Sequence, residues 1–191
     1  MRIVAGRLGG RRLAAPGAAG GGKAHLRPTS DRVREALFNH LAHSHYGTPP
    51  LPQDRRVLDL FAGTGALGLE ALSRGAARAV FIDDLAAARA LIRENVETLG
   101  LTGQTKIWRR DATRLGPCRG EPFDLVFLDP PYRSGLGDAA LASARAGGWI
   151  APDAVIVVEL AADEPAPGPD WLTLAERRRY GDTQILIFTT G

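Results

Sequence analysis

The chain has 191 residues, 45% of them hydrophobic and 24% charged, a composition that suits a folded protein with one sizeable core and excludes a fibrous or wholly disordered one. No run approaches the ~18 consecutive apolar residues of a membrane span, residues 1–13 lack the apolar stretch of a secretory signal, and a single cysteine, Cys118, excludes an internal disulfide or a multi-cysteine zinc site. The net charge of +3 is uneven, because residues 1–50 hold eight Lys or Arg against two acids, so a basic arm precedes a mildly acidic body, an arrangement suited to a partner that carries phosphates.

Residues 1–13 read as two short strands around Gly9-Gly10, a basic hairpin, since glycine supplies the positive φ that tight turns need. With little apolar surface, this arm is expected to be mobile until a phosphate-bearing partner orders it. Pro16 to Gly22 is too poor in side chains to pack and is expected to be a flexible loop. A helix capped by Ser30 or Asp31 should run to about Leu41, with Val33, Leu37 and Leu41 at four-residue spacing. Gly47 to Gln53, with three prolines, reads as a linker. The expected division is therefore a basic extension over 1–53 and a main domain over 54–191.

From Arg56 onward, short β-branched runs alternate with helical ones. Strands are expected at Val57–Leu60, Ala79–Ile82, Thr105–Trp108, Phe123–Leu128 and Ala154–Val158, and helices at Ala66–Arg74, Leu85–Leu99, briefly after Asp111, and at Leu136–Ala146. Such alternation implies a parallel sheet covered on both faces. Trp171–Arg178 and Gln184–Thr189, around the turn sequence Tyr180-Gly-Asp-Thr183, should add an antiparallel hairpin. Trp108, Trp149 and Trp171 read as core, and Cys118 as a loop thiol. The four histidines, His25, His40, His43 and His45, lack metal-type partners at suitable spacing, so no metal is expected.

Two motifs carry chemistry. Gly63, Gly65 and Gly68 form a GxGxxG between the first strand and first helix of the sheet, where glycines let the backbone turn and approach a nucleoside-bearing ligand. Asp83, twenty residues after Gly63, ends the next strand, where an acid can bind ribose hydroxyls. The glycines alone suit a dinucleotide as well as S-adenosylmethionine. Asp59, inside the first strand, favours the latter, because a carboxylate repels a pyrophosphate but can hold the ammonium of a methionine moiety. Asp111 follows the third strand and suits either recognition of an adenine amino group or a helix cap.

The second motif, Asp129-Pro130-Pro131-Tyr132, follows a fully apolar strand and so belongs at the carboxyl edge of the sheet, where ligands bind. Consecutive prolines fix φ and remove two amide donors, leaving a stiff carbonyl and the Asp129 carboxylate as acceptors. That pair suits an exocyclic amine of a base, held by both hydrogens so that its lone pair faces an electrophilic methyl. Tyr132 can stack on a base drawn out of its helix.

Together these residues resemble the RsmD family of 16S ribosomal RNA guanine-2-amino methyltransferases over nearly the whole chain. The likeness lies in Arg2-Ile3, Gly6 and Gly10 to Leu13, in Leu26 to Asn39, in Asp59 to Ala76, in Asp129 to Tyr132 and in Tyr180 to Thr183. It implies a Rossmann-like class I fold, a seven-stranded, mostly parallel sheet with an antiparallel C-terminal hairpin. It implies S-adenosyl-L-methionine as cofactor, surrounded by Asp59, Phe61, Gly63, Gly65, Asp83, Asp84, Asp111 and Ala112, with Asp129 to Tyr132 on the target guanine. The partner it implies is 16S rRNA or the assembling small subunit, met by Arg2, Arg7, Arg11, Arg12, Arg27 and Arg34, for a cytoplasmic monomer that uses neither membrane nor metal. Where relatives have Glu at the ribose position, this chain has Asp83 followed by Asp84, and either could serve. A DNA adenine or cytosine amino-methyltransferase is the alternative, since the same tetrapeptide serves any exocyclic amine, although no separate DNA-recognition domain is evident. A protein-glutamine methyltransferase would begin the tetrapeptide with Asn, a nicotinamide oxidoreductase would need a substrate domain, and a non-catalytic RNA-binding module would use the arm alone.

Overall fold

The computed structural model of the protein describes residues 1–16 and 29–190. Seven strands form one sheet: β1 (Arg56–Leu60), β2 (Arg78–Ile82), β3 (Thr105–Trp108), β4 (Phe123–Leu128), β5 (Ile150–Ala161), β6 (Leu172–Tyr180) and β7 (Thr183–Thr190). Their order is β3-β2-β1-β4-β5-β7-β6. Strands β1 to β5 pair in parallel, and β7 runs antiparallel to both β5 and β6. Four helices accompany them: α1 (Asp31–His43), α2 (Ala66–Ser73), α3 (Ala86–Thr98) and α4 (Leu136–Ala146). The expected fold is the one observed. The largest difference among the sheet elements is at β5, which begins at Ile150 rather than Ala154 and ends at Ala161.

Apolar runs form β1, β2, β4, β5 and β7 because the inner part of the sheet is buried on both faces, whereas the edge strand β6 is largely exposed. Val57, Phe127, Val157 and Ile187 point to one side, where they meet Leu69 and Leu72 of α2, Ile92 of α3, and Leu37, Phe38 and Leu41 of α1. Leu58, Val126, Ile156 and Leu186 point to the other, against Ala140, Leu141 and Ala144 of α4 and the fully buried Trp149. Ser30 caps α1, its side chain accepting from the Val33 amide at 3.2 Å.

The N-terminal segment differs from expectation in two ways. It contains a single antiparallel bridge, Arg2 to Arg12, instead of two strands, because its next amides bond to α2. Val4 N and Ala5 N donate to the Glu70 carboxylate at 2.8 and 3.0 Å, Arg7 N to the Ser73 carbonyl at 2.8 Å, and Leu8 N to the Ser73 hydroxyl at 3.0 Å. Gly6 has φ +80°, and a Cβ there would sit 2.0 Å from the Ser73 carbonyl oxygen, so only glycine permits this approach. Nor do residues 1–13 stand free of the body. Ile3 and Leu13 are buried in the cluster that contains Leu69 and Val57, and Ala14 exchanges hydrogen bonds with Asn95 of α3. The flexible loop expected over Pro16 to Gly22 lies, beyond Pro16, outside the described residues.

Candidate active site

The chain crosses from β1 through α2 to β2 on one side, while β4 lies on the other side of β1. Helix-bearing loops therefore diverge between the carboxyl ends of β1 and β4, and a crevice opens there. It is a cleft of about 710 Å³ lined by Asp59, Phe61, Gly63, Asp83, Asp84, Leu85, Asp111, Ala112, Asp129, Pro130, Pro131, Tyr132 and Thr29, among others. That volume falls within the range of about 300 to 1,000 Å³ usual for small-molecule and cofactor sites.

The glycine loop forms one wall. Gly63 and Gly65 have φ of 56° and 76°, and a Cβ on Gly65 would come within 3.2 Å of both Ile92 and Phe81. At Gly68 a Cβ would lie 2.4 Å from the Phe81 ring and 3.1 Å from Asp59 Oδ2, so glycine is what lets α2 begin against Asp59. Phe61, also at φ 56°, is held in a region that costs a bulky side chain roughly 1–3 kcal/mol and that tends to occur at functional sites.

Asp59, Asp83 and Asp111 each have a backbone partner. Asp59 is 1% exposed, and its Oδ2 accepts from the Gly68 amide at 2.9 Å. Burial pushes its carboxyl up to about 8; the Gly68 bond opposes the shift and the Asp83 charge adds to it. Asp83 accepts from Gly63 N through one oxygen and from Leu85 N through the other, both at 2.9 Å, while Asp84 is exposed. Burial also raises Asp83 from its ordinary value. Asp111 caps the short 3₁₀ turn Ala112–Arg114, its Oδ1 accepting from Thr113 N at 2.8 Å and from the Thr113 hydroxyl at 2.7 Å. These bonds hold Asp111 below the ordinary carboxylate range. Cap and cleft lining are thus combined in one residue.

Asp129 is different. Its amide bonds to the Leu60 carbonyl at 3.3 Å, tying the end of β4 to the end of β1. Its carboxyl is pushed well above the ordinary range by burial, by Glu159 and by Asp59, and no hydrogen bond from the described residues offsets this. Tyr132, partly buried beside it, donates to Glu159 Oε1 at 3.2 Å and shares a 2.8 Å bond with the Thr183 hydroxyl. Glu159 Oε2 accepts from the Thr29 hydroxyl at 2.5 Å. Sequence reasoning missed Glu159 and Thr29. The available signal was an acid near the carboxyl end of an apolar strand, the same signal that marks Asp59.

Of the arginines expected to meet RNA, Arg2, Arg7, Arg11 and Arg12 are exposed. Arg11 donates to the Thr98 carbonyl at 3.1 Å, and Arg7 bonds to Gln104. Arg34 is a correction, for its side chain is fully buried. It faces Glu70 at 3.5 Å, Asp31 at 2.8 Å and the carbonyls of Thr29 and Arg2, which leaves no donor surface for a phosphate. Arg27 lies outside the described residues. Among the described residues no group of His, Cys, Asp and Glu could hold a metal ion, and no helix is long and apolar enough to cross a membrane.

A family model described as conserved hypothetical protein 95 matches residues 1–189. Ribosomal RNA small subunit methyltransferase D of Escherichia coli (strain K12) is 42% identical over 168 residues, 87% of this chain and 78% of that protein. The protein of the same description from Haemophilus influenzae (strain ATCC 51907 / DSM 11121 / KW20 / Rd) is 35% identical over 191 residues, 98% of this chain and 93% of its own length. Among solved structures, the putative methyltransferase yhhF from Escherichia coli superposes with a TM-score of 0.82 at 34% identity, covering 100% of this chain and 97% of that one.

Proposed function

On the premise that this chain belongs to the conserved hypothetical protein 95 family, that of RsmD, we propose that it transfers a methyl group from S-adenosyl-L-methionine to the exocyclic 2-amino group of a guanine in small-subunit ribosomal RNA. The observation that carries this reading is the Asp129 carboxylate. It is an acceptor with no donor among the described residues, followed by two prolines and an aromatic ring, on the floor of a cleft at the switch between β1 and β4. An amine with two hydrogens supplies the missing donors, whereas a hydroxyl or a ring nitrogen supplies one or none.

The cofactor half of the cleft fits the group. Asp59 would face an ammonium, Asp83 or Asp84 the ribose hydroxyls, and Asp111 beside Ala112 an adenine amino group, while the glycine loop leaves room that a Cβ would fill. Bound there, S-adenosylmethionine supplies an electrophilic methyl on sulfur. Asp129 and the stiff proline carbonyl hold the amine so that its lone pair points across the cleft, a gain of orientation. Asp129, whose burial makes it a stronger base than an ordinary carboxylate, would accept the proton that the amine sheds on taking the methyl. Tyr132 offers a face on which the extruded base stacks.

The test is transfer of labelled methyl to small-subunit rRNA, or to particles from cells that lack the gene, followed by mapping of the label. N2-methylguanine in that RNA is the expected product. Label in DNA alone, or none in either nucleic acid, would overturn the assignment.

A further inference from the structure

We propose that Glu159 is a positioning residue for the base pocket: by bridging Thr29 and the Tyr132 hydroxyl it fixes the Tyr132 ring in the orientation that receives the target base. The proposal rests on the base-binding role given to Tyr132 above.

Glu159 lies in β5 between Val158 and Leu160, in a strand whose buried neighbours are otherwise apolar. It is 6% exposed, and the described groups that bond to it are two hydroxyls rather than a cation. A buried carboxylate held only by hydroxyls destabilises a fold relative to an apolar side chain of similar size. Packing of β5 therefore gives no reason for an acid here, and the bonds that it makes do.

Those bonds converge on Tyr132. The two prolines before it and the φ of 56° at Arg133 after it restrict the backbone at Tyr132. The remaining freedom is rotation of the side chain. Its hydroxyl is held on one side by Glu159 at 3.2 Å and on the other by Thr183 at 2.8 Å. Glu159 is held in turn by the Thr29 hydroxyl, two residues before α1. The ring thus hangs from three elements remote in sequence: the segment before α1, β5, and the start of β7. Thr29 also lines the cleft, so the link passes along its wall.

The decisive variant is Glu159→Met, which removes both bonds but fills the volume with apolar atoms and so should keep the fold. Steady-state transfer to RNA should show kcat/KM lower by about tenfold to hundredfold, the range for losing a hydrogen bond to a charged group. The Kd for S-adenosylmethionine should stay within about twofold, and Glu159→Gln, which still accepts from the Tyr132 hydroxyl, should recover most of the loss. Tyr132→Phe breaks the same link from the other end. In that background Glu159→Met should add less than about threefold, because coupled groups are not additive. Additive losses, or an equal loss of cofactor affinity, would overturn the proposal. A substrate-free readout separates this inference from the activity on which it rests. The chain has three tyrosines, and with ring-labelled [ζ-13C]tyrosine the Tyr132 NMR signal is the one lost in Tyr132→Phe. That signal should move in Glu159→Met and return toward its place in Glu159→Gln; if it does not respond, the link is refuted. A wild-type protein that transfers nothing to RNA but shows the expected NMR response would sink the guanine reading and leave the Glu159–Tyr132 link standing.

Discussion

Binding of S-adenosylmethionine should be coupled to ionisation of Asp59. Burial raises this carboxyl from an ordinary value of 3.8 to about 8, so in the ligand-free protein at pH 6 it is protonated and neutral. An ammonium placed beside it favours the carboxylate, and binding at that pH must expel a proton. Affinity should therefore rise about tenfold from pH 6 to 7 and roughly twentyfold in all from pH 6 to 8, the slope falling as Asp59 reaches half ionisation and the ligand ammonium begins to be lost. Above that range it should level or fall, because the free α-amino group of the ligand itself titrates near about 7.7 to 8.0. Calorimetry in two buffers of different ionisation enthalpy measures the proton count directly: about one released per cofactor bound at pH 6, and fewer toward pH 8. Stability of the ligand-free protein runs the other way. A folded-state pKa above the unfolded one means that the folded form holds the proton more tightly, so this group costs stability progressively as pH rises from 3.8 to about 8. Asp59→Asn keeps an acceptor for the Gly68 amide but has no charge to titrate. It should bind the cofactor poorly at every pH, and the ligand-free variant should gain thermal stability relative to wild type as pH rises toward 8. An affinity independent of pH with no proton release, or wild-type affinity in Asp59→Asn, would refute this account.

Asp129→Asn should abolish most transfer while leaving cofactor affinity within a few-fold, since an amide offers one acceptor and an intrusive donor; full activity of the variant would remove Asp129 from the role assigned to it. Asp83 is fixed by two amides, which suits the ribose contact proposed for it. Asp83→Ala should weaken cofactor binding by about 1.5–3 kcal/mol in calorimetry and Asp84→Ala by little, whereas the reverse ranking would transfer the contact to Asp84. Glu70→Ala removes one of the two carboxylates that face buried Arg34 and frees the Val4 and Ala5 amides. It should cost about 3–5 kcal/mol in denaturant unfolding, with loss of amide-exchange protection concentrated at residues 3–8. Changing Arg11 and Arg12 together to Ala should reduce the salt slope of RNA binding by up to about two units with cofactor affinity unchanged, and an unaltered slope would exclude them from the phosphate contacts.

The sheet was legible because its inner strands are buried on both faces and so read as apolar runs, and because glycines, prolines and acids at the strand ends mark the carboxyl edge where Asp59, Asp83 and Asp129 line the cleft. What could not be read were pairings across long separations. In α1 the buried positions are Arg34, Leu37, Phe38 and Leu41, an i, i+3, i+4, i+7 stripe in which an arginine takes a core place. Asp31, three residues before it, is a local partner, but the fully buried one, Glu70, is 36 residues away in an α2 that is otherwise uncharged. A lone acid in an apolar helix signals that some partner exists, but no local rule says which. The docking of residues 1–13 escaped notice for the same reason. Two apolar side chains, Ile3 and Leu13, do not make a periodic pattern, and the amides that fasten the segment bond to side chains and carbonyls of α2. Glu159 is less legible because the strand expected over Ala154–Val158 stops just before it, although an acid at the carboxyl end of an apolar strand follows the same positional rule as Asp59 and Asp129.

The sheet places β7 between β5 and β6, although β7 follows both in sequence. During synthesis β5 emerges with its neighbour on that side still missing, and its hydrogen-bonding edge from Val155 to Ala161 stays open until about 30 further residues have been added, a delay of a few seconds at about 5 to 20 residues per second. Strand β6 cannot shorten that delay, since it pairs with β7 and has no place beside β5. An apolar strand with a free edge is a template for another chain. The nascent protein is therefore most exposed to association while β6 is already out and β7 is not, and a chain released early within Thr183–Thr190 would keep that edge open permanently.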